Sequence, residues 1–135
     1  MSANVALTGL ARDLEDRAKS GKPIRIGLVG SGEMGTDIVT RVAHMRGVKI
    51  AGIANLHAAN ALKAVEIAYG AQSPASVVDN QSALDQAVES GRIAVCEDAS
   101  LLSNSPHVDV VVDATGIPAV GAEIGPETMR QGKHL

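Results

Sequence analysis

The stretch that decides the fold is Ile24-Arg25-Ile26-Gly27-Leu28-Val29 followed by Gly30-Ser31-Gly32-Glu33-Met34-Gly35. The first part is mostly apolar and predicts a buried strand, and the glycine-rich part opens a segment with helical spacing. In such a GxGxxG loop the first glycine permits a tight turn, the second lets the backbone approach a pyrophosphate, and the third allows close packing of helix on strand. The pattern alone is weak, but its place between a strand and a helix favours a dinucleotide-binding loop over an ordinary turn.

On either side of this loop, segments of strand and helix character alternate. Strands are predicted at 24–29, 48–54, 93–96 and 108–113, and helices at about 4–19, 33–46 and 58–69, through Leu84, Ala87 and Val88, at 98–103 and at 118–131. Residues 71–80 are predicted to be a loop, Pro126 predicts a kink or two short helices, and residues 133–135 are similar to the start of a further strand. The alternation predicts an α/β fold, a Rossmann-type doubly wound parallel sheet that is truncated before a catalytic domain.

Composition excludes several classes of function. The chain has 135 residues, 45% of them hydrophobic, and Tyr69 is the one aromatic residue. Its net charge of −3 gives no basic footprint for nucleic acid, and aromatic stacking platforms are missing. The single Cys96 excludes an internal disulfide, and no apolar run has the length of a membrane span. We therefore expect a cytoplasmic protein without nucleic-acid or membrane partners.

The choice of cofactor is expected at the end of the second strand. NAD enzymes place Asp or Glu there, about 20 residues after the loop, to hold the ribose hydroxyls. The residue at that spacing here is the neutral Asn55. A carboxylate ~4 Å from a 2′-phosphate would cost roughly 4 kcal/mol at an effective dielectric constant near 20, so its absence favours NADP(H) over NAD(H). No Arg follows to bind that phosphate, and Asn55 as a cap of the next helix is the alternative.

The segment Asp113-Ala114-Thr115-Gly116-Ile117-Pro118 ends the fourth predicted strand. The carboxyl edge of an open parallel sheet is its ligand side. Small residues there would let a nicotinamide ring or ribose lie against the backbone, with the Thr115 hydroxyl as a donor. The alternative is an ordinary strand-to-helix turn with Pro118 at the first helical position, and Asp113 is interpreted as a turn or cap partner rather than a catalytic carboxylate.

The other reactive side chains give no sign of chemistry. The four histidines, His44, His57, His107 and His134, are dispersed and lack the spacing of metal ligands. Cys96 is predicted to be a buried strand residue without a neighbouring base, and Ser31 is at most a phosphate donor. The sequence therefore predicts neither a catalytic residue nor a metal site within this chain.

The run from Pro23 to Thr40, together with 113–118 and the terminal Gly132-Lys133-His134-Leu135, resembles the homoserine dehydrogenase-like oxidoreductases. Within them it is most similar to the subgroup described as 1-deoxy-D-xylulose 5-phosphate reductoisomerase-like, which has nucleotide-binding, catalytic and C-terminal SAF-type domains. The resemblance implies an intact enzyme that isomerises and reduces deoxyxylulose phosphate to methylerythritol phosphate, for isoprenoid precursor synthesis, with NADPH and a divalent metal. The intact enzyme is expected to be a homo-oligomer.

For this chain, the resemblance implies an N-terminal helix in 1–22 and an incomplete NAD(P)-binding Rossmann domain in 23–135, with the metal ligands and catalytic residues beyond Leu135. The cofactor-binding residues expected from the motifs and the resemblance are Gly30, Ser31, Gly32, Glu33, Met34, Gly35, Asn55, Ala114, Thr115 and Gly116. Residues 54–57 depart from the basic segment expected for NADP(H). The alternatives are a homoserine dehydrogenase or related sugar oxidoreductase and, in another class, a stand-alone nucleotide-sensing or interaction module.

Overall fold

The computed structural model describes residues 6–135 and contains a five-stranded parallel sheet, which confirms the predicted α/β, Rossmann-type fold. The strands are β1 (Ile24–Val29), β2 (Val48–Ala54), β3 (Ala75–Val77), β4 (Ile93–Cys96) and β5 (Val110–Asp113). Their order across the sheet is β3-β4-β2-β1-β5. The chain therefore crosses from β1 to β2 on one side and reaches β5 on the other, which makes the β1–β5 gap the topological switch point.

Residues 6–135 contain six helices, of which all but the first cover the two faces of this sheet. They are α1 (Gly9–Lys19), α2 (Glu33–Val42), α3 (Ala58–Tyr69), α4 (Gln81–Glu89), α5 (Ser100–Asn104) and α6 (Pro118–Arg130), with a 3₁₀ turn at Gly70–Gln72. Helices α2 and α3 pack on one face around Leu28 and Ile53, whereas α4, α5 and α6 pack on the other around Val111. Both cores are aliphatic, and each fully buried Leu, Ile or Val contributes about 1.5–3 kcal/mol. Within residues 6–135, no helix is long and apolar enough to cross a membrane.

The strand register brings four strand ends to one edge. Val29 is level with Ala54 of β2 and with Asp113 of β5, and Ala54 is level with Cys96 of β4. Because the strands are parallel, the loops that follow these residues emerge side by side. The segments after positions 29, 54, 96 and 113 therefore form one continuous rim.

Several predicted boundaries were wrong, for local reasons. The predicted loop 71–80 contains β3, which at three residues is too short to show an alternating pattern. Helix α2 ends at Val42 rather than 46, because the chain turns at His44 and Met45 to enter β2. Strand β5 begins at Val110, two residues later than predicted.

The inward faces of two helices differ in part from the hydrophobic spacing, which predicts an inward stripe of Met34, Ile38, Val42 and Met45 for α2 and of Val120, Ile124 and Met129 for α6. Helix α2 buries Gly35, Val39 and Val42, whereas Met34 is 66% exposed. Helix α6 is one continuous helix, so the predicted alternative of two short helices was wrong. Pro126 and Ala122, whose carbonyl loses its partner, are both exposed, so water can bind that oxygen. Ile124 is buried, as its spacing predicts, whereas Met129 is 59% exposed and Thr128 is buried in its place.

The two ends of the described chain pack unequally. Helix α1 begins at Gly9, later than the predicted residue 4, which lies outside the described residues, and it buries none of its side chains. It is held by an ion pair of 3.0 Å between Glu15 and Arg46. At the other end, His134 pairs in parallel with β5, with 2.9 Å between the Val111 amide nitrogen and the His134 carbonyl oxygen. The strand-like character predicted for 133–135 is therefore present as a single bridge.

At the amino-terminal edge of the sheet, Arg25 of β1 holds Asp109, which precedes β5. Its guanidinium contacts both carboxylate oxygens, at 2.9 and 3.1 Å, and its backbone N–H donates to Oδ2 at 2.9 Å. The hydrogen bond from the Arg25 side chain lowers the pKa of Asp109, although partial burial opposes this, and the same bond raises the pKa of Arg25. The ionised form of Asp109 is therefore favoured by folding.

We expect Asp109→Asn to reduce the free energy of unfolding by about 1 kcal/mol at neutral pH, the scale of a partly exposed ion pair. Because the folded-state pKa of Asp109 lies below its unfolded value, this stabilisation is complete above the unfolded pKa and disappears as the pH falls through the folded one. Urea unfolding across that range measures it, with Asp16→Asn, exposed on α1, as the control. A difference between wild type and Asp109→Asn that persists at the acid end would contradict the assignment.

Candidate functional site

A cleft of about 300 Å³ lies at the rim where β1, β2, β4 and β5 end. Of the predicted site residues, Gly30, Ser31, Gly32, Asn55, Ala114 and Thr115 line it. The others do not: Gly35 is buried under the loop, the side chains of Glu33 and Met34 are exposed on α2, and Gly116 is exposed after β5 with a φ of +66°. A volume near 300 Å³ is at the lower end for small-molecule clefts.

The three positions of the loop are glycine for different structural reasons. Gly30 has a φ of +93°, and a Cβ there would lie 3.0 Å from the Thr115 nitrogen. A Cβ at Gly35 would overlap the Gly30 carbonyl oxygen. Gly32 has an ordinary φ of −71°, and no neighbouring protein atom lies within 4 Å of the position of its Cβ. The fold therefore requires glycine at positions 30 and 35. It does not require glycine at position 32, where the lack of a side chain leaves the main chain exposed to the cleft.

Helix α2 presents unbonded amides beside Gly32. The first hydrogen bond of the helix runs from the Thr36 amide to the Gly32 carbonyl, at 2.9 Å. The amides of Glu33, Met34 and Gly35 precede that bond and have no partner within the helix, and the N-cap Gly32 has no side chain to bind them. Together with the helix dipole, these amides form an environment that favours an anion.

Asn55 connects the end of β2 to the glycine loop. Its Nδ2 donates to the Ser31 hydroxyl at 2.7 Å, and its Oδ1 accepts from the His57 amide at 2.9 Å. The alternative that Asn55 caps the next helix was wrong, since α3 begins at Ala58 with His57 as its N-cap and no side-chain cap bond. One amide hydrogen of Asn55 and the proton of Ser31 remain for a ligand.

The turn after β5 is held by its own side chains. Asp113 Oδ1 accepts from the Thr115 amide at 2.9 Å and from the Thr115 hydroxyl at 2.7 Å, and that hydroxyl accepts from the Ile117 amide at 3.1 Å. Asp113 is thus a turn partner, as the sequence predicted. The predicted role of the Thr115 hydroxyl as a donor to a ligand was wrong, because its hydrogen is bound to Asp113. It offers a remaining lone pair instead.

Sequence reasoning missed Glu97, which follows β4 and lines the cleft. Its Oε1 accepts from the amide of Ala58, the first residue of α3, at 3.3 Å. Glu97 is the one carboxylate among the residues that line the described cleft, and none of them is Lys or Arg. An acidic residue directly after a predicted strand was a visible signal, but its meaning depends on β4 lying beside β2.

Neither Cys96 nor a metal cluster supplies reactive groups within residues 6–135. Cys96 is 1% exposed, and burial raises the pKa of its thiol to about 12, with a further contribution from Asp98. The described residues contain no group of three or more His, Cys, Asp or Glu side chains able to hold a metal ion. The divalent metal implied by the sequence resemblance therefore has no fitting ligand set here, and no chemical step through it follows from these residues.

No protein-family model matches the chain, and no curated protein matches it. Assignment of a ligand to the cleft therefore depends on its geometry and on the sequence motifs.

The contrast between the glycines gives a stability prediction. We expect Gly35→Ala to lower the free energy of unfolding by about 1–3 kcal/mol, because the new methyl group must displace the Gly30 carbonyl. Gly32→Ala is the matched control, and its effect should be smaller, since its methyl group meets open space and only the preference for Gly over Ala at an N-cap is lost. Denaturant unfolding followed by circular dichroism measures both, and equal losses for the two variants would contradict this account.

Proposed function

We propose that this chain binds a nicotinamide dinucleotide, with the diphosphate on the first turn of α2, as the nucleotide-binding part of an NAD(P)-dependent oxidoreductase. The observation that carries the proposal is the bare backbone at Gly32. It borders a cleft at the switch point of a parallel sheet, next to unbonded helix amides, and no protein contact requires glycine there. A diphosphate that approaches the main chain closely would explain why residue 32 is glycine.

The cleft supports one orientation of the dinucleotide. With the diphosphate at 30–35, the adenosine half extends toward Asn55 and Leu56, because the residues at the end of the second strand bind the ribose. Leu56 is 78% exposed, so it offers an apolar surface that a base would cover. The nicotinamide half then extends over Ala114 and Thr115 after β5, where side chains are small.

In this role the cofactor, when bound, supplies hydride transfer, and the chain binds and orients it. The α2 amides donate hydrogen bonds to the diphosphate, and the Asn55–Ser31 hydrogen bond holds the loop in place before binding. The Asp113–Thr115 turn fixes the backbone against which the nicotinamide ribose lies. The cleft contains no buried acid or base that would itself complete a reaction, so substrate chemistry requires groups outside it.

The specific reaction is proposed from the sequence resemblance: NADPH-dependent isomerisation and reduction of 1-deoxy-D-xylulose 5-phosphate, a phosphorylated sugar, by the intact enzyme. An assay of the intact protein with that substrate, a divalent cation and either NADPH or NADH should show oxidation of the reduced dinucleotide and inhibition by a fosmidomycin-type phosphonate. Oxidation of homoserine would instead assign the homoserine dehydrogenase activity. Dinucleotide binding without turnover of either substrate would favour a nucleotide-sensing module.

The binding proposal is tested on the chain itself by titration with NADH and NADPH, followed by calorimetry or by nicotinamide fluorescence. We expect saturable binding that Gly32→Asp weakens at least about tenfold, because the new carboxylate would point to the position of the diphosphate. Ala71→Asp, which adds the same charge in the exposed 3₁₀ turn, is the control and should leave affinity unchanged. Equal affinities for wild type and Gly32→Asp would reject the proposed site.

A further inference from the structure

We propose that Glu97 makes this cleft select NAD(H) over NADP(H), by occupying the place of the adenosine 2′-phosphate and accepting a hydrogen bond from the 2′-hydroxyl. The inference rests on the proposed dinucleotide site. It reverses the preference for NADP(H) that the neutral Asn55 alone predicts and that the sequence resemblance implies, because the carboxylate comes from the neighbouring strand.

The geometry places Glu97 beside the expected ribose. Strand β4 lies next to β2, with Cys96 level with Ala54, so the residues that follow both strands share one part of the rim. Asn55 and Glu97 both line the cleft. The Glu97 side chain reaches across to the first residue of α3, where its Oε1 accepts from the Ala58 amide at 3.3 Å.

That amide is the group an adenosine 2′-phosphate would be expected to use. A helix N-terminus next to the end of β2 offers a free N–H and the positive end of a helix dipole, which suit a phosphate. In this chain a carboxylate of the protein already binds that N–H, so a phosphate would have to displace a like charge. No Lys or Arg among the described lining residues compensates for the repulsion.

A 2′-hydroxyl, in contrast to a 2′-phosphate, is attracted by Glu97, because it can donate a hydrogen bond to the carboxylate. An ionised carboxylate has lone pairs on both oxygens, so Glu97 can keep its bond to the Ala58 amide and still accept from a ribose hydroxyl. NAD(H) carries that hydroxyl, whereas NADP(H) carries a phosphate ester in its place. The same side chain therefore attracts one cofactor and repels the other.

The test compares NADH and NADPH affinities of wild type, Glu97→Gln and Glu66→Gln. Glutamine keeps an acceptor for the Ala58 amide, removes the charge, and replaces the second acceptor oxygen by an amide donor. We expect wild type to bind NADH more tightly than NADPH, and Glu97→Gln to reduce that ratio by about tenfold, mainly through tighter NADPH binding. Glu66→Gln, near the other end of α3, removes a surface charge paired with Lys63 and should leave the ratio unchanged.

Ionic strength gives a second readout. Glu97 is exposed, so the repulsion of the 2′-phosphate is screened, and the wild-type preference for NADH should shrink as salt is added. The ratio for Glu97→Gln should change less with salt. Two results would overturn the inference while leaving the dinucleotide site intact: a wild-type preference for NADPH, or a Glu97→Gln ratio equal to that of wild type. Failure of both nucleotides to bind would reject the proposed function itself.

Discussion

The site depends on a backbone contact that excludes side chains: the carbonyl of Gly30 lies against Gly35, and Gly30 itself lies against Ala114 and Thr115. This contact places the start of α2 directly over the end of β1 and next to the end of β5. A methyl group at Gly35 would push the helix away from the strand, and its first amides would no longer face the gap between the two strands. The anion-binding environment is therefore a consequence of close packing.

Side-chain hydrogen bonds close to this contact hold the neighbouring loops of the rim in place. Asn55, after the end of β2, donates a hydrogen bond to Ser31 of the glycine loop, and Asp113 accepts one from Thr115 in the turn after β5. These rim segments are thus held by polar side chains of their own or of the adjacent segment. A rim that is ordered before binding loses less conformational entropy when a ligand arrives.

The sequence predicted those features that rest on long periodic segments or on glycine chemistry. Strands β1, β2 and β4 are runs of at least four residues flanked by turn signals, and their predicted bounds agree with the structure. Strand β3 was missed because three residues carry no period. The alternative that Pro126 divides α6 into two helices was wrong, because sequence does not show that Pro126 is exposed. The role of Thr115 was mistaken because a hydroxyl has one hydrogen, and only the fold shows that Asp113 takes it.

The cofactor preference proposed for Glu97 would make spacing along the chain an incomplete guide to cofactor choice. The rule that places an acidic residue about 20 positions after the glycine loop assumes that the ribose meets only the end of β2. A rim is shared by adjacent strands, however, and the end of β4 is level with that of β2. A carboxylate that follows β4 can therefore lie beside the same ribose, although it stands 42 positions (97 − 55) beyond Asn55 in the chain. What decides the charge near the 2′-position is the strand order, β4-β2-β1, and not the identity of the residue at one spacing.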